Sequence, residues 1–193
     1  MQSGISSWSF PKSLIVGGKE YGINSDYRAV TKIFTALNDY ELLKEDSYVQ
    51  CGVILSLFYE DYESIPAEHW QEALDHMKEF IDMGIEESKN KTKLMDWDKD
   101  APLIIPPVNK ILGYEVREQR YTHWWTFLGA YMNIGECLFS NVLNIRQKKA
   151  KGKKLEKCEQ EFYSANKALI DLNTSRRSQE EKDELRAYFG YKK

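Results

Sequence analysis

The sequence predicts a mainly α-helical protein, a single helical domain over residues 1–193 with a small N-terminal β-hairpin. Apolar residues recur at three- and four-residue spacing along most of the chain, which is the period of an amphipathic helix. Near the N-terminus, two short apolar runs flank a Gly-Gly pair, which is typical of a tight turn between strands. Five Trp, twelve Tyr and eight Phe supply enough large apolar side chains for a packed core.

The hairpin is predicted over residues 13–23, which read SLIVGGKEYGI. Gly17 and Gly18 accept the positive φ angles that a two-residue turn requires, and the flanking residues include good strand formers. Because a two-stranded hairpin is marginally stable in water, we expect this one to pack against the helices.

The helical core is predicted over residues 24–145. Asn24 or Ser25 is the expected N-cap of its first helix. A second helix is expected over residues 46–59, where the apolar run VILSLF is broad enough to be buried on several sides. The apolar face of the first helix is expected to carry Tyr27, Val30, Ile33, Phe34 and Leu37.

A third helix is expected to begin near Ser64, with Pro66 in its first turn and Gly84 as its C-cap. Its expected apolar face carries Trp70, Leu74, Met77 and Ile81.

The rest of the chain is also expected to be mostly helical. After a polar linker at residues 86–93, Pro106-Pro107 should break or kink the next helix. Another helix is predicted to open near Tyr121, and one over residues 136–145. Residues 146–157 form a basic linker or helix, and residues 158–193 form C-terminal helices, the last of them opened by a capping box at Ser178.

Composition excludes several classes of protein. The three cysteines are far apart and in no CxxC spacing, so we expect reduced, packed thiols rather than disulfides or a zinc site. The longest apolar run, residues 52–58, is too short to span a bilayer, and the N-terminus lacks the pattern of a signal peptide. The net charge of −3 argues against a globally basic nucleic-acid-binding protein. We therefore expect a soluble, intracellular protein.

No residue pattern predicts a catalytic, cofactor or metal site. A nucleophile elbow and a phosphate loop are absent from the sequence. His69, Glu72 and His76 lie within about two helical turns, but a stable metal site needs more ligands, so we expect a surface Glu–His pair. The segment DWDKD at residues 96–100 lacks the later Gly and Glu of a calcium loop and fits an acidic first helical turn. We therefore expect no enzyme and no cofactor.

Two segments carry opposite charge. Residues 146–157 hold seven basic residues and one acid, whereas residues 60–100 hold thirteen acids and five lysines. The basic segment is either a solvated loop, a docking surface for an acidic protein or a phosphate-binding site, although it lacks aromatics for base stacking. The asymmetry also fits head-to-tail self-association. The candidate basic docking patch comprises Arg146, Lys148, Lys149, Lys151, Lys153 and Lys154.

The densest aromatic motif is His123-Trp124-Trp125, followed by Phe127. Helical spacing places Trp124 and Phe127 on one face of the predicted helix. Burial of such side chains contributes several kcal/mol, at about 25 cal/mol per Å² of apolar area. The motif is therefore either a central core helix or a partly exposed aromatic anchor for a partner.

The pattern D-W-x-K-D, an apolar helix, a glycine turn and then H-W-W-x-F resembles the "gene product fifteen" family of siphophages and prophages of Gram-positive bacteria. The segment Asp26-Tyr27-Arg28 also fits the opening of that family, and the resemblance covers about residues 13–146. Thr122 and Thr126 depart from the family, which usually has leucine and often lysine there. The matching residues are Asp96, Trp97, Lys99, Asp100, Gly113, His123, Trp124, Trp125 and Phe127.

The resemblance implies a product of the tail-morphogenesis module, encoded near the tail assembly chaperone and the tape measure protein. The leading hypothesis is a non-enzymatic tail assembly factor that binds one of those two clients in the host cytoplasm. The alternatives are a structural tail or connector component of the virion, an intracellular nucleic-acid-binding or regulatory protein that uses residues 146–157, and an enzyme without a recognisable motif. We expect phage tail proteins as partners, leave self-association open, and expect neither nucleic acid nor membrane.

Overall fold

The computed structural model describes residues 8–38, 46–83 and 94–172. In these ranges an N-terminal antiparallel hairpin precedes a series of helices, which confirms the predicted fold class. The chain divides into two compact units, residues 1–143 and 144–193. That residues 1–193 form a single domain remains a prediction. The elements are β1 (Ser13–Val16), β2 (Lys19–Gly22), α1 (Tyr27–Leu37), α2 (Ser47–Phe58), α3 (Trp70–Ile81), α4 (Trp97–Leu112), α5 (Trp124–Met132), α6 (Leu138–Ala150), α7 (Lys157–Ala165) and α8 (Lys167–Ile170).

The hairpin forms where it was predicted. Ser13 pairs with Gly22 and Val16 with Lys19, and the turn between them has positive φ at both Gly17 and Gly18. Side chains alternate between the two faces as a strand requires, with Leu14 and Val16 buried and Ile15 about half exposed. The buried face of β1 packs against α3, which supplies the support that an isolated hairpin lacks.

Gly17 carries a second constraint besides its φ of +57°. A Cβ at this position would lie 2.6 Å from Cδ2 of His69, whereas a Cβ at Gly18 would meet no atom within 4 Å. We expect Gly17→Ala to lower the free energy of unfolding by about 2 kcal/mol, from backbone strain and steric overlap together. Gly18→Ala, the matched control, should cost about 1 kcal/mol because it adds only the strain. Equal losses in denaturant titrations of the two variants would contradict the close approach to His69.

The N-cap of α1 is Asp26, not Asn24 or Ser25 as predicted. The Asp26 carboxylate accepts a hydrogen bond from the backbone N–H of Arg28 at 2.9 Å. The two predicted caps are used elsewhere, since Ser25 bonds the Tyr121 hydroxyl and the Asn24 amide donates to a carbonyl of α2. Because these two side chains bind residues distant in the chain, the N-cap lies one or two residues later than predicted.

The third predicted helix begins later than Ser64. Two short 3-10 turns, Tyr62–Ser64 and Ala67–His69, precede α3, and the chain between them is extended. The indole N–H of Trp70 donates to the Ile65 carbonyl at 3.1 Å, which holds this extended corner against the helix start. The predicted C-cap Gly84 lies outside the described residues.

Pro106 and Pro107 do not divide α4, so of the two predicted outcomes, a break or a kink, the break is wrong. The helix runs unbroken from Trp97 to Leu112 through these two prolines and Pro102. Each proline removes one bond to the carbonyl four residues earlier. At Pro102 and Pro106 that carbonyl belongs to an exposed residue, where water can hydrate it. The apolar face opposite stays in the core and keeps the segment helical.

The core of the first unit joins the hairpin to α1 through α5 and the start of α6. Helix α1 contacts α2, α4 and α5, and α2 also contacts α3. Helix α1 buries Ala36 rather than the predicted Leu37, which is 45% exposed, because the buried face is set by the neighbouring helices. The largest fully buried side chains are Trp124, Tyr59, Phe58, Phe80, Phe127 and Phe139.

The second unit contains the end of α6, then α7 and α8. Helix α6 continues to Ala150, so the basic segment is helical in its first part and a turn in its second. Helix α7 ends at Ala165 because the chain turns at Asn166, and the short helix α8 follows. The polar linker predicted at residues 86–93 and the helix predicted after Ser178 lie outside the described residues.

Candidate functional site

The aromatic motif begins at His123, which is the N-cap of α5. Its Nδ1 accepts a hydrogen bond from the backbone N–H of Trp125 at 3.1 Å, and its Nε2 lies 3.2 Å from the Pro11 carbonyl oxygen. Since a carbonyl only accepts, this network assigns the neutral ring with its proton on Nε2. Burial lowers the pKa of His123, against the hydrogen bond to Pro11, and the nearby charge of Lys12 lowers it further. The Phe10 ring stacks on the imidazole at 4.4 Å.

The two tryptophans that follow are buried and serve as donors to α3. The indole N–H of Trp124 donates to the Ile81 carbonyl, and that of Trp125 donates to the Phe80 carbonyl, both at 2.8 Å. These carbonyls lie in the last turn of α3, where a helix leaves its carbonyls without regular i→i+4 donors, and the Phe80 carbonyl also accepts from the Met83 N–H at 3.2 Å. The paired indoles therefore cap α3 from α5 and fix the distance between the two helices.

Trp97 lies at the centre of a second group of rings. Its ring centroid is 5.4 Å from that of Phe34, 5.7 Å from that of Trp124 and 5.3 Å from that of Tyr131. These contacts join α1, α4 and α5 in one aromatic cluster. The D-W motif and the H-W-W motif, which are separate in the sequence, thus meet in the core.

The two aspartates around Trp97 organise the start of α4. The Asp96 carboxylate accepts from the backbone N–H groups of Asp98 and Lys99, at 3.2 and 3.1 Å. Asp100 is buried, and its carboxylate accepts from the backbone N–H of Asp96 at 2.9 Å. These carboxylates satisfy donors that a helix start leaves without partners, so they have a structural role.

Sequence reasoning missed a polar cross-link between the start of α1 and the segment before α5. The Asp26 carboxylate caps α1 and also accepts from the backbone N–H of Thr122 at 2.9 Å. The Arg28 guanidinium donates to Asp26 and to the carbonyls of Val116, Arg117 and Gln119. The partners are about ninety residues apart in the chain, so only the match of Asp26-Tyr27-Arg28 to the family opening pointed to them.

The candidate partner-binding or core residues therefore all lie in or beside the core: Asp96, Trp97, Asp100, His123, Trp124, Trp125 and Phe127. Trp124 and Phe127 are 1% exposed, and His123 is 3% exposed. Trp97 is partly buried within the ring cluster, and Asp96 is partly buried at the helix start. Of the two interpretations of the H-W-W motif, this structure has the central core helix, not the exposed anchor.

The candidate basic docking patch separates into two groups. In the first group, Arg146 is buried, and its guanidinium donates to the carbonyls of Leu169 and Ile170 at 3.0 and 2.6 Å. These carbonyls lie at the end of α8, where a cation is favoured. Arg146 therefore links α6 to α8 by hydrogen bonds, and its guanidinium is not available to bind a partner.

Lys148 and Lys149 also bind within the second unit. Lys148 pairs with Glu159 at 2.5 Å, and this hydrogen bond raises the pKa of the lysine and lowers that of the glutamate. Burial acts to lower the pKa of Lys149, but hydrogen bonds to Asp171 and Tyr163 outweigh it and raise that pKa. The Lys149 ammonium also lies 3.7 Å from the centroid of the Tyr163 ring.

The other three candidate residues, Lys151, Lys153 and Lys154, are exposed. Gly152, with φ of +64°, forms the turn after α6, and the Lys153 N–H donates to the Lys148 carbonyl at 2.8 Å. We call residues 151–154 the lysine turn. Because its lysines are exposed, the lysine turn is the part of the predicted patch that is accessible to a binding partner.

This division of the patch predicts a large effect on stability at Arg146 and a small one at Lys153. We expect Arg146→Met to weaken the docking of α8 by about 2 kcal/mol, because two carbonyls lose a charged donor. Hydrogen exchange of the amides at residues 167–172 should accelerate at least tenfold. Lys153→Met, the matched control, should change exchange there by less than about twofold because Lys153 is exposed. Similar exchange in both variants would contradict the structural role of Arg146.

The predicted surface Glu–His pair forms, but with His69. The Nδ1 atom of His69 lies 3.3 Å from the Glu72 carboxylate, which also accepts from the Gly17 N–H at 3.0 Å. His76 is instead buried beside a recess of about 460 Å³ that Glu72, Asp75 and Glu79 also line. Among the described residues, no group of three or more His, Cys, Asp or Glu side chains is arranged to hold a metal ion.

The fold and the motif residues define a class: helical proteins with an N-terminal hairpin whose D-W and H-W-W motifs meet in one aromatic core. The model of the bacteriophage Gp15 protein family matches residues 10–172 of the chain. This chain belongs to that family, as the motif resemblance implied. No curated protein and no solved structure matches the chain. None of the helices in the described ranges has the length and apolar character needed to cross a membrane.

Proposed function

We propose that this protein is a non-enzymatic bacteriophage tail assembly factor that binds a tail client, the tape measure protein or the tail assembly chaperone, in the host cytoplasm. The observation that carries the proposal is the family match, which spans residues 10–172 of this 193-residue chain. The D-W and H-W-W motifs are the residues through which the chain resembles products of the tail-morphogenesis module.

The positions of the motif residues support a role without chemistry at the motif. His123 caps a helix, Trp124 and Trp125 donate to backbone carbonyls, and Asp100 accepts from a backbone N–H. These groups are held by the fold, so binding to a client is assigned to the exposed surface. The alternative of nucleic-acid binding through residues 146–157 loses support because Arg146, Lys148 and Lys149 have partners within their own unit.

The experiment that tests the proposal is affinity purification of the tagged protein from infected or induced host cells, alongside mass spectrometry of purified phage particles. We expect the tape measure protein or the assembly chaperone to copurify and the particles to lack this protein. Stoichiometric presence in particles would instead identify a structural component of the tail or connector. Copurification of neither client would contradict the proposed role.

A further inference from the structure

One face of α3 carries an acidic recess that the family assignment does not explain. Glu72, Asp75, His76 and Glu79 line its volume of about 460 Å³. Their spacing of three and four residues places all four on the same side of the helix. The recess therefore brings three carboxyl groups and one imidazole together.

His76 is the unsatisfied member of this group. The residue is 8% exposed, and its Nδ1 atom is buried and has no hydrogen-bond partner among the described residues. Such atoms are rare in native proteins, because a buried polar atom without a partner costs free energy. A cationic N–H donor suits the three carboxylates that line the recess beside this imidazole.

The described surroundings of the recess supply little positive charge. Residues 60–83 contain eight acids and one lysine, Lys78, which pairs with Asp82. The Glu72 carboxylate accepts from the Gly17 N–H and lies 3.3 Å from Nδ1 of His69, and the Asp75 carboxylate accepts from the Gln71 amide. In the described ranges, no lysine or arginine forms an ion pair with a carboxylate that lines the recess.

The lysine turn carries the complementary charge on the same chain. Lys151, Lys153 and Lys154 are exposed, whereas the ammonium groups of Lys148 and Lys149 bind carboxylates of their own unit. The three ammonium groups of the turn equal the three carboxylates of the helix face in number and are opposite to them in charge.

We propose that the lysine turn of one copy binds the acidic recess of α3 on a second copy, so that copies of the protein associate head to tail. Because the two surfaces differ, each bound copy still offers one free recess or one free turn. Association of this kind continues until it closes as a ring or extends as a chain. The inference does not depend on the identity of a tail client.

The first test is sedimentation equilibrium of the purified full chain over a range of concentrations and salt. At low salt, we expect the average mass to rise with concentration, and high salt should weaken the association because it screens charge. Charge reversal of the turn (Lys151→Glu, Lys153→Glu, Lys154→Glu) or of the recess (Asp75→Lys, Glu79→Lys) should weaken it at least tenfold. Near-ultraviolet circular dichroism checks that each variant is folded.

A matched control and a mixing experiment make the assignment specific. Reversal of three lysines elsewhere (Lys12→Glu, Lys110→Glu, Lys167→Glu) should leave association within about threefold of the unmodified protein. The turn-reversed and recess-reversed variants, each monomeric alone, should associate when mixed, because each supplies the partner that the other lacks. A monomer at every concentration at low salt, an equal loss in the control, or no association in the mixture would overturn the proposal.

Discussion

Trp124→Ala is expected to lower the free energy of unfolding by about 3–5 kcal/mol, a large fraction of the roughly 5–15 kcal/mol by which folded proteins are stable. The side chain is 1% exposed, and it contacts the rings of Phe34, Trp97 and Phe127. The substitution empties the centre of the cluster and removes the N–H donor from the Ile81 carbonyl. Chemical denaturation followed by circular dichroism measures the loss.

Two other substitutions separate the contributions to this loss. Trp124→Phe keeps an aromatic ring but leaves the Ile81 carbonyl without its donor, so we expect about 1–3 kcal/mol. Trp8→Ala removes a tryptophan that is 98% exposed, and its effect should stay within about 0.5 kcal/mol. A folded Trp124→Ala protein that lost only the binding of a partner would overturn the assignment of the motif to the core.

His123→Ala is expected to cost about 2–4 kcal/mol, because the substitution removes a helix cap and a packed ring together. The ring accepts from the Trp125 N–H, bonds the Pro11 carbonyl and stacks on Phe10, so its loss also frees the segment before β1. Hydrogen exchange of the described residues 8–12, together with denaturant titration, measures both effects. Unchanged exchange there would contradict the link between His123 and this segment.

The same histidine predicts a dependence of stability on pH. The pKa of His123 is lowered in the folded protein, so below its ordinary value of 6.5 the unfolded chain binds a proton that the folded protein resists. Its contribution to stability is complete above pH 6.5 and is lost as pH falls, by up to about 1.4 kcal/mol per pH unit. Protonation at Nδ1 would also remove the acceptor that caps α5.

His123→Asn provides the control for this pH dependence. An asparagine side chain can cap a helix but does not titrate, so unfolding of this variant should depend less steeply on pH between 7 and 5. The other two histidines of the chain are present in both proteins, so the difference between the curves isolates His123. Parallel curves would contradict the role of a neutral ring.

Local sequence signals predicted the elements that depend on neighbouring residues. The Gly17-Gly18 turn needs positive φ angles, and the two glycines specify them without help from the fold. The second helix was predicted at residues 46–59 and lies at Ser47–Phe58, because its apolar run and its Asp46 cap are adjacent in the chain. The order of the D-W and H-W-W motifs also predicted the family that the comparison confirmed.

The sequence predictions were wrong where contacts with residues distant in the chain outweigh the local preference of a residue. Asn24 and Ser25 are good caps by type, but contacts with Leu57 and Tyr121 occupy them, and Asp26 takes the cap. The proline pair has a strong local tendency to end a helix, which the buried face of α4 overrides. Arg146 and Lys153 are both basic residues of one segment, but the structure gives them different roles. The Arg146 guanidinium donates to two carbonyls, whereas Lys153 is exposed to solvent.

The sequence by itself determined the fold class, the hairpin, the family and the presence of two oppositely charged segments, since each depends on residue type and short spacing. The tertiary structure alone decided that the H-W-W motif is core, that half of the basic patch is bound within its own unit, and that α3 carries the acidic recess. Those outcomes depend on contacts between residues up to about a hundred positions apart, as between Pro11 and His123. Hydrophobic periodicity predicts the helices but not these contacts, because the same set of helices can pack against one another in many arrangements.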